Sequence, residues 1–120
     1  MDDSVWPAPW VRAVLGTAVL AVLESEPRHG YGVAEALERR GLGRPRGGSL
    51  YPLLQTLEDA GAVAATWEPG VTGPGRRTYV LTDVGRDRLA RERDSWQRLT
   101  AALSPPDRPA RAPEEETRGR

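Results

Sequence analysis

The apolar positions of the chain fall into helical and strand periods that switch at clear punctuation. From Pro9, which suits a first helical turn, to about Glu24, the residues Trp10, Val11, Val14, Leu15, Ala18, Val19, Val22 and Leu23 cover more than one face of a helix. A helix apolar on two sides needs two neighbours, one in its own domain and one that can belong to another chain. SEPRHG, residues 25–30, reads as a connection. A second helix is predicted over Gly30 to Arg40, with Val33, Ala36 and Leu37 inward, and Gly41 followed by Leu42 fits a glycine C-cap. After the Gly- and Arg-rich turn at 41–48, RGGSLYPLLQTLEDAG (46–61) sets Leu50, Leu53, Leu54 and Leu57 at i, i+3, i+4 and i+7, the single stripe of an amphipathic helix stopped by Gly61.

Past Gly61 the period shortens to two. Val63, Ala65 and Trp67 oppose Ala62, Ala64 and Thr66 along residues 62–69, GVTGPG (70–75) is a flexible turn, and RRTYVLT (76–82) alternates again, which predicts a β-hairpin. Thr82 offers an N-cap oxygen and Asp83 a first-turn carboxylate to a last helix, about Asp83 to Leu103 and on the order of 30 Å long. Its apolar residues Leu89, Trp96 and Leu103 are seven apart, with Leu99 between the last two, and such a narrow stripe predicts a seam against another chain. Residues 104–120 are rich in Pro, Arg and Glu with no apolar period and are expected to be disordered.

Three helices followed by a hairpin is the order of a winged helix-turn-helix. The expected class is therefore α+β, mainly α: an arm at 1–9, a winged helix-turn-helix at 10–82, a dimerisation helix at 83–103 and a tail at 104–120.

Composition narrows the function. Charged residues make up 28% and apolar residues 38% of the 120, a modest core of the kind a second subunit often completes. The formal net charge is +0, so global electrostatics give no nucleic-acid signal, yet all 17 basic residues are Arg, the side chain that forks onto phosphate and guanine. The absence of Cys excludes disulfides and thiol chemistry, and a single His excludes a His-rich metal centre, so no metal or cofactor is expected. The longest apolar run, Ala13 to Leu23, is about half the ~20 residues a bilayer needs, and Asp2 and Asp3 replace the basic start of a secretory signal. A cytoplasmic protein without membrane contact is expected. No acid–base or nucleophile constellation and no glycine-rich phosphate loop occurs, so no enzymatic activity is expected.

The third helix carries the functional signal. Its outward side begins with Ser49, Tyr51, Pro52, Gln55 and Thr56, all uncharged, and ends with Glu58 and Asp59. DNA phosphates repel carboxylates. A helix that enters a major groove N-terminus first presents its positive dipole end and neutral hydrogen-bonding groups, while carboxylates about two turns back stay clear. Arg76 and Arg77 beside a Gly-rich hairpin tip are placed for phosphate or minor-groove contact, and Arg44 and Arg46 for clamping phosphate ahead of the helix.

HGYGVAEALE, GGSLYPLLQTLEDAGAV and GRRTYVLTDVGRDRL, in this order and spacing, resemble the PadR family of bacterial transcriptional regulators over about residues 13–100. A single long last helix suggests its short subfamily. The resemblance implies a homodimer that binds double-stranded DNA at an inverted repeat, usually as a repressor, with release by a small aromatic effector in some members. By position it implies DNA contact for Tyr31, Ser49, Tyr51, Pro52, Arg76 and Arg77, to which the helix pattern adds Arg46, Gln55 and Thr56. Trp96 matches an aromatic of the last helix that lines a ligand pocket at the dimer interface in some members. The expected interface takes in Trp10, Val14, Leu15, Leu89, Trp96, Leu99 and Leu103, with Trp10 and Trp96 as the candidate effector residues. Two places depart from the family pattern. Arg46-Gly47 replaces the usual Ser-Pro before Gly-Ser-Leu-Tyr, which leaves the N-cap of the third helix open, and Thr78 stands where a second aromatic is common.

Blander roles compete at several positions. His29 suits a structural place in the turn before the second helix better than ligand or pH sensing. Tyr51 can simply cover surface, Arg76 and Arg77 can be a solvated strand pair, Trp96 can be a packed seam residue, and Trp6 and Trp10 can pin the arm. At the level of function, the alternative is a winged-helix module that binds a protein rather than DNA.

Overall fold

The computed structural model describes residues 5–70 and 75–106, so the start of the arm, the hairpin tip and the tail from 107 lie outside the described residues. The elements run α1 (Ala8–Val22), β1 (Arg28–His29), α2 (Gly30–Arg39), α3 (Gly47–Asp59), β2 (Val63–Glu68), β3 (Arg76–Leu81) and α4 (Asp83–Ala102). The architecture is mainly helical with one small antiparallel sheet, a winged helix-turn-helix extended by a long C-terminal helix.

Local chemistry sets the boundaries. Pro9 lies in the first turn of α1, where its missing N–H is no loss. α2 is capped by His29, whose Nδ1 accepts from the amide of Gly32 at 3.2 Å, so the single histidine has a structural task. Gly41 (φ +84°) ends α2 and Gly61 (φ +79°) ends α3; in each case the next amide, of Leu42 or Ala62, turns back to a helix carbonyl. Thr82 caps α4 by accepting from the amide of Gly85 at 3.0 Å, and its own hydroxyl donates to the Gly61 carbonyl at 2.6 Å.

Residues 25–30 are more than a connection. Arg28 and His29 form a strand that pairs antiparallel with Tyr79 and Thr78, which makes a three-stranded sheet in the order β1-β3-β2. Two residues are too few to show an alternating period, and the strand exists because β3 offers it a free edge. Between β2 and β3 the register runs from Val63 opposite Leu81 to Glu68 opposite Arg76.

One apolar core joins these elements. The C-terminal half of α1 (Ala18 to Leu23) is buried, together with Val33 and Leu37 of α2, Leu50, Leu54 and Leu57 of α3, and Val63, Tyr79 and Leu81 of the sheet. Each fully buried Leu or Val contributes about 1.5–3 kcal/mol. Gly85 lets α4 start against β2, since a Cβ there would overlap the Ala62 carbonyl and Leu81.

Leu89 requires a correction. It was expected on the seam but is 1% exposed within the single chain, because its helical turn faces the sheet and core rather than outward. Trp96 is half-buried and its indole donates to Thr17 Oγ1 of α1 at 3.2 Å. Thr17 in turn donates to Glu92 at 2.5 Å, and Arg88 pairs with Glu92 at 2.8 Å. Arg93 pairs with Glu24, just past α1, at 3.1 Å, so beyond the buried Leu89 a chain of polar contacts ties α4 to α1 and its end. Val14 and Leu15 are half-buried, whereas Trp10, Leu99 and Leu103 stay exposed.

Candidate nucleic-acid interface

Three elements meet on one side of the domain: the N-terminal ends of α2 and α3 and the wing formed by β2 and β3. Arg46 is the N-cap residue of α3 and makes no side-chain cap hydrogen bond, so the open question at this N-terminus resolves to an uncapped end. The amides of Gly47 and Gly48, at the exposed N-terminal end of the helix, precede any i→i−4 partner and are left to solvent or a ligand. Leu50, Leu54 and Leu57 fix one face in the core, and Ser49, Tyr51, Pro52, Gln55 and Thr56 are exposed on the other. Pro52 sits in the second turn, deeper than a first-turn proline, so the Gly48 carbonyl has no helical donor. Thr56 donates to the Pro52 carbonyl at 3.0 Å, and the Gln55 amide to Asp59 at 2.9 Å.

Tyr51 is held by a glycine. A Cβ on Gly30 would lie 2.5 Å from its ring, so the aromatic can lie over the start of α2 only because residue 30 has no side chain. Tyr31 lies beside His29 (ring centroids 6.3 Å) and under the guanidinium of Arg44 at 5.0 Å. His29, Gly30, Tyr31 and Tyr51, with Trp67, Arg76, Arg77 and Tyr79 of the wing, line a cleft of about 420 Å³.

The arginines divide into two pairs. Arg77 bridges both carboxylate oxygens of Glu58, at 2.7 and 3.0 Å, and lies 6.0 Å from the Tyr79 ring. Glu58 therefore does not simply stay clear of the face, as its place two turns along α3 suggested; it reaches across to the wing. Arg44 pairs with Glu38 at 2.8 Å, and that hydrogen bond raises its pKa further above the ordinary guanidinium value. The side chains of Arg46 and Arg76 have no hydrogen bond or ion pair to any described residue, although Arg76 stands opposite Glu68 in the sheet register. These two side chains, with that of Arg12, which lines the adjoining surface together with Arg46, supply the free positive charge of this side.

No described group of His, Asp and Glu side chains could hold a metal ion, and no described helix is long and apolar enough to cross a membrane. The sequence matches the transcriptional regulator PadR-like family over residues 19–91, from the last turn of α1 into α4, which is more than half of the chain. The chain belongs to the PadR-like family. That family is one of transcriptional regulators rather than enzymes.

Solved PadR structures share the fold. A PadR family transcriptional regulator from Eggerthella lenta is 30% identical, with a TM-score of 0.73 over 79% of this chain and 82% of its own. A PadR-like transcription factor from Bacteroides fragilis is 25% identical, with a TM-score of 0.70 over 80% and 92%. A PadR-like regulator from Bacillus cereus is 26% identical, with a TM-score of 0.69 over 80% and 93%. An uncharacterized 37.1 kDa protein in transposon TN4556 of Streptomyces fradiae is 38% identical over 85 residues, and the match spans 71% of this chain but only 24% of that protein.

The geometry brings Tyr31, Tyr51, Arg76 and Arg77 of this PadR-like chain around one cleft, and sets Arg46 and Ser49 together on the adjoining surface before α3. Gln55 and Thr56 lie further along α3. Trp10 and Trp96 are on the separate α1–α4 surface. Sequence reasoning gave no role in this site to Gly30, Trp67 or Tyr79. In the sequence Gly30 is legible only as part of His-Gly-Tyr, and Trp67 and Tyr79 only as positions in a strand alternation.

Proposed function

We propose that this PadR-like chain is a sequence-specific DNA-binding transcriptional regulator, a homodimer that represses from an inverted-repeat operator. The observation behind the reading is the convergence on one surface of the uncharged start of α3, the unfilled amides of Gly47 and Gly48, and the unpaired Arg46 and Arg76. Ser49, Tyr51, Pro52, Gln55 and Thr56 enter the major groove, Arg76 and Arg77 hold flanking backbone, and Tyr31 approaches a phosphate. Residues 10–82 form the DNA-binding unit. The stretch 83–103 joins two subunits through Leu99, Leu103 and the outer side of Trp96 against Trp10, Val14 and Leu15 of the partner.

A small aromatic effector lodged near Trp10 and Trp96 would release the operator by changing the angle between subunits. Quenching of tryptophan emission by planar aromatic compounds, lost in Trp96→Ala, is the expected sign. The hydrogen bond from Trp96 to Thr17 favours a packing role, in which case no quenching occurs.

Fluorescence anisotropy against labelled DNA from upstream of the chain's own gene, with excess random competitor and at two salt concentrations, tests the main reading. Competitor-resistant, salt-sensitive binding at one dimer per site is the expected result. Salt-insensitive capture of a protein instead would move the assignment to an interaction module.

A further inference from the structure

Trp67 stands out among the wing residues because it is 64% exposed on an ordered strand. Its ring lies against Gly75 at the other side of the hairpin, where a Cβ would sit 2.8 Å from it, so the strand that returns from the tip makes room for this side chain. In the sheet register Trp67 stands opposite Arg77. Tyr31 and Tyr51 are also at least half exposed, and all three aromatics line the same cleft with Arg76 and Arg77. Tyr79, at the floor, is only 5% exposed, and its hydroxyl has no hydrogen bond to any described residue. Exposed aromatics scattered singly need no explanation, but three gathered beside two arginines make an apolar surface edged with positive charge.

A duplex backbone has the complementary pattern, apolar deoxyribose faces alternating with anionic phosphates. We propose that the cleft between the wing and the start of α2 and α3 seats one stretch of DNA backbone, with Trp67 packed on a deoxyribose and the Tyr79 hydroxyl donating to a phosphate. The proposal rests on the DNA-binding reading above and adds a neutral contact to it. With Arg77 and Arg44 already paired to carboxylates, part of the affinity comes from aromatic packing rather than counterion release. Such a contact touches no base edge, so it serves every sequence alike.

The test compares the full-length wild type with Trp67→Ala, Trp67→Gln and Trp67→Phe by anisotropy, on a labelled random-sequence duplex at low salt and on the upstream DNA. Loss of the indole should weaken binding about 10-fold in the Ala and Gln variants, since a buried aromatic dominates the contact it makes. The loss should be equal on both duplexes, the dependence on salt should keep the wild-type slope, and Trp67→Phe should recover most of the affinity. An exposed residue leaves the core untouched, and the Gln variant repeats the test if the Ala variant folds poorly. Wild-type affinity in Ala and Gln overturns the proposal, as does a loss confined to the upstream DNA or a changed salt slope. A wild-type chain that binds neither duplex overturns the DNA-binding reading and this contact with it.

Discussion

The sheet–α3 end of the molecule and the α1–α4 end are joined by different forces. At the first, Leu50, Leu54 and Leu57 press into a dry core with Val63 and Leu81, and the polar residues are all turned outward. At the second, past the buried Leu89, side-chain hydrogen bonds and ion pairs run along the contact, Trp96–Thr17–Glu92–Arg88 and Arg93–Glu24, while Leu99 is 51% and Leu103 78% exposed. Surface ion pairs contribute little apiece, so the second end is weakly determined by its own chain. The difference says which surface the proposed dimer would use: among the described residues one end is complete, and the other displays Leu99 and Leu103.

Breaking each end should separate folding from assembly. Leu54→Ala removes a fully buried side chain and should lower unfolding free energy by about 2–5 kcal/mol, read as a fall in the midpoint of thermal or urea unfolding. A Leu99→Glu, Leu103→Glu double variant changes only exposed positions, so the subunit's own fold should shift by no more than about 0.5 kcal/mol. That variant should nevertheless run as a monomer in sedimentation and lose operator binding. A dimer that survives both charges would place the contact elsewhere on the chain.

The periods of α2 and α3 are legible because each has a clean glycine stop and an apolar stripe that one core explains: the stripe of α3 and the stops at Gly41 and Gly61 are written in adjacent residues. β1 is not, since a two-residue strand is defined by its partner Tyr79 and Thr78, about fifty positions away. Leu89 misled for a related reason. A heptad spacing says which residues share a face, but the face turns toward the chain's own core at the start of α4 and away from it at the end. The charged part of the site was half legible: Arg76 and Arg77 were adjacent in sequence, yet only the fold shows that Glu58 reaches one of them.

The split between paired and unpaired arginines gives a finer contrast within the DNA-facing end. Arg76→Ala should reduce the slope of log affinity against log salt by about 0.9 per subunit. Arg77→Ala should reduce it by less, because Glu58 already offsets that charge. Glu58→Gln frees Arg77 and removes a carboxylate, so binding should tighten by a few-fold; unchanged affinity would mean that Arg77 leaves Glu58 readily when DNA arrives. Gly30→Ala should displace the Tyr51 ring and weaken binding several-fold with little change in stability, since the ring is half-exposed and can move.

The smallest expected effect tests the polar end through pH. Partial burial alone would raise the pKa of Glu92, but the hydroxyl of Thr17 and the guanidinium of Arg88 outweigh it and hold the carboxyl below its ordinary value of 4.5. A carboxyl lowered in the folded state binds its proton less readily than in the unfolded chain. Its stabilisation is therefore complete above the unfolded value and is lost as pH falls through the folded one. Glu24 behaves in the same way, its pKa lowered first of all by the hydrogen bond from Arg93. In Glu92→Gln the Glu24 contribution remains, so the variant's melting temperature should still fall in acid, only less steeply. The gap between wild type and variant should be below about 1 kcal/mol at neutral pH, as for a partly exposed pair, and should close as pH drops below 4.5. Parallel curves would show that Glu92 does not tie α4 to α1, and that the Trp96–Thr17 hydrogen bond, the Arg93–Glu24 pair and apolar contact hold the long helix in place without it.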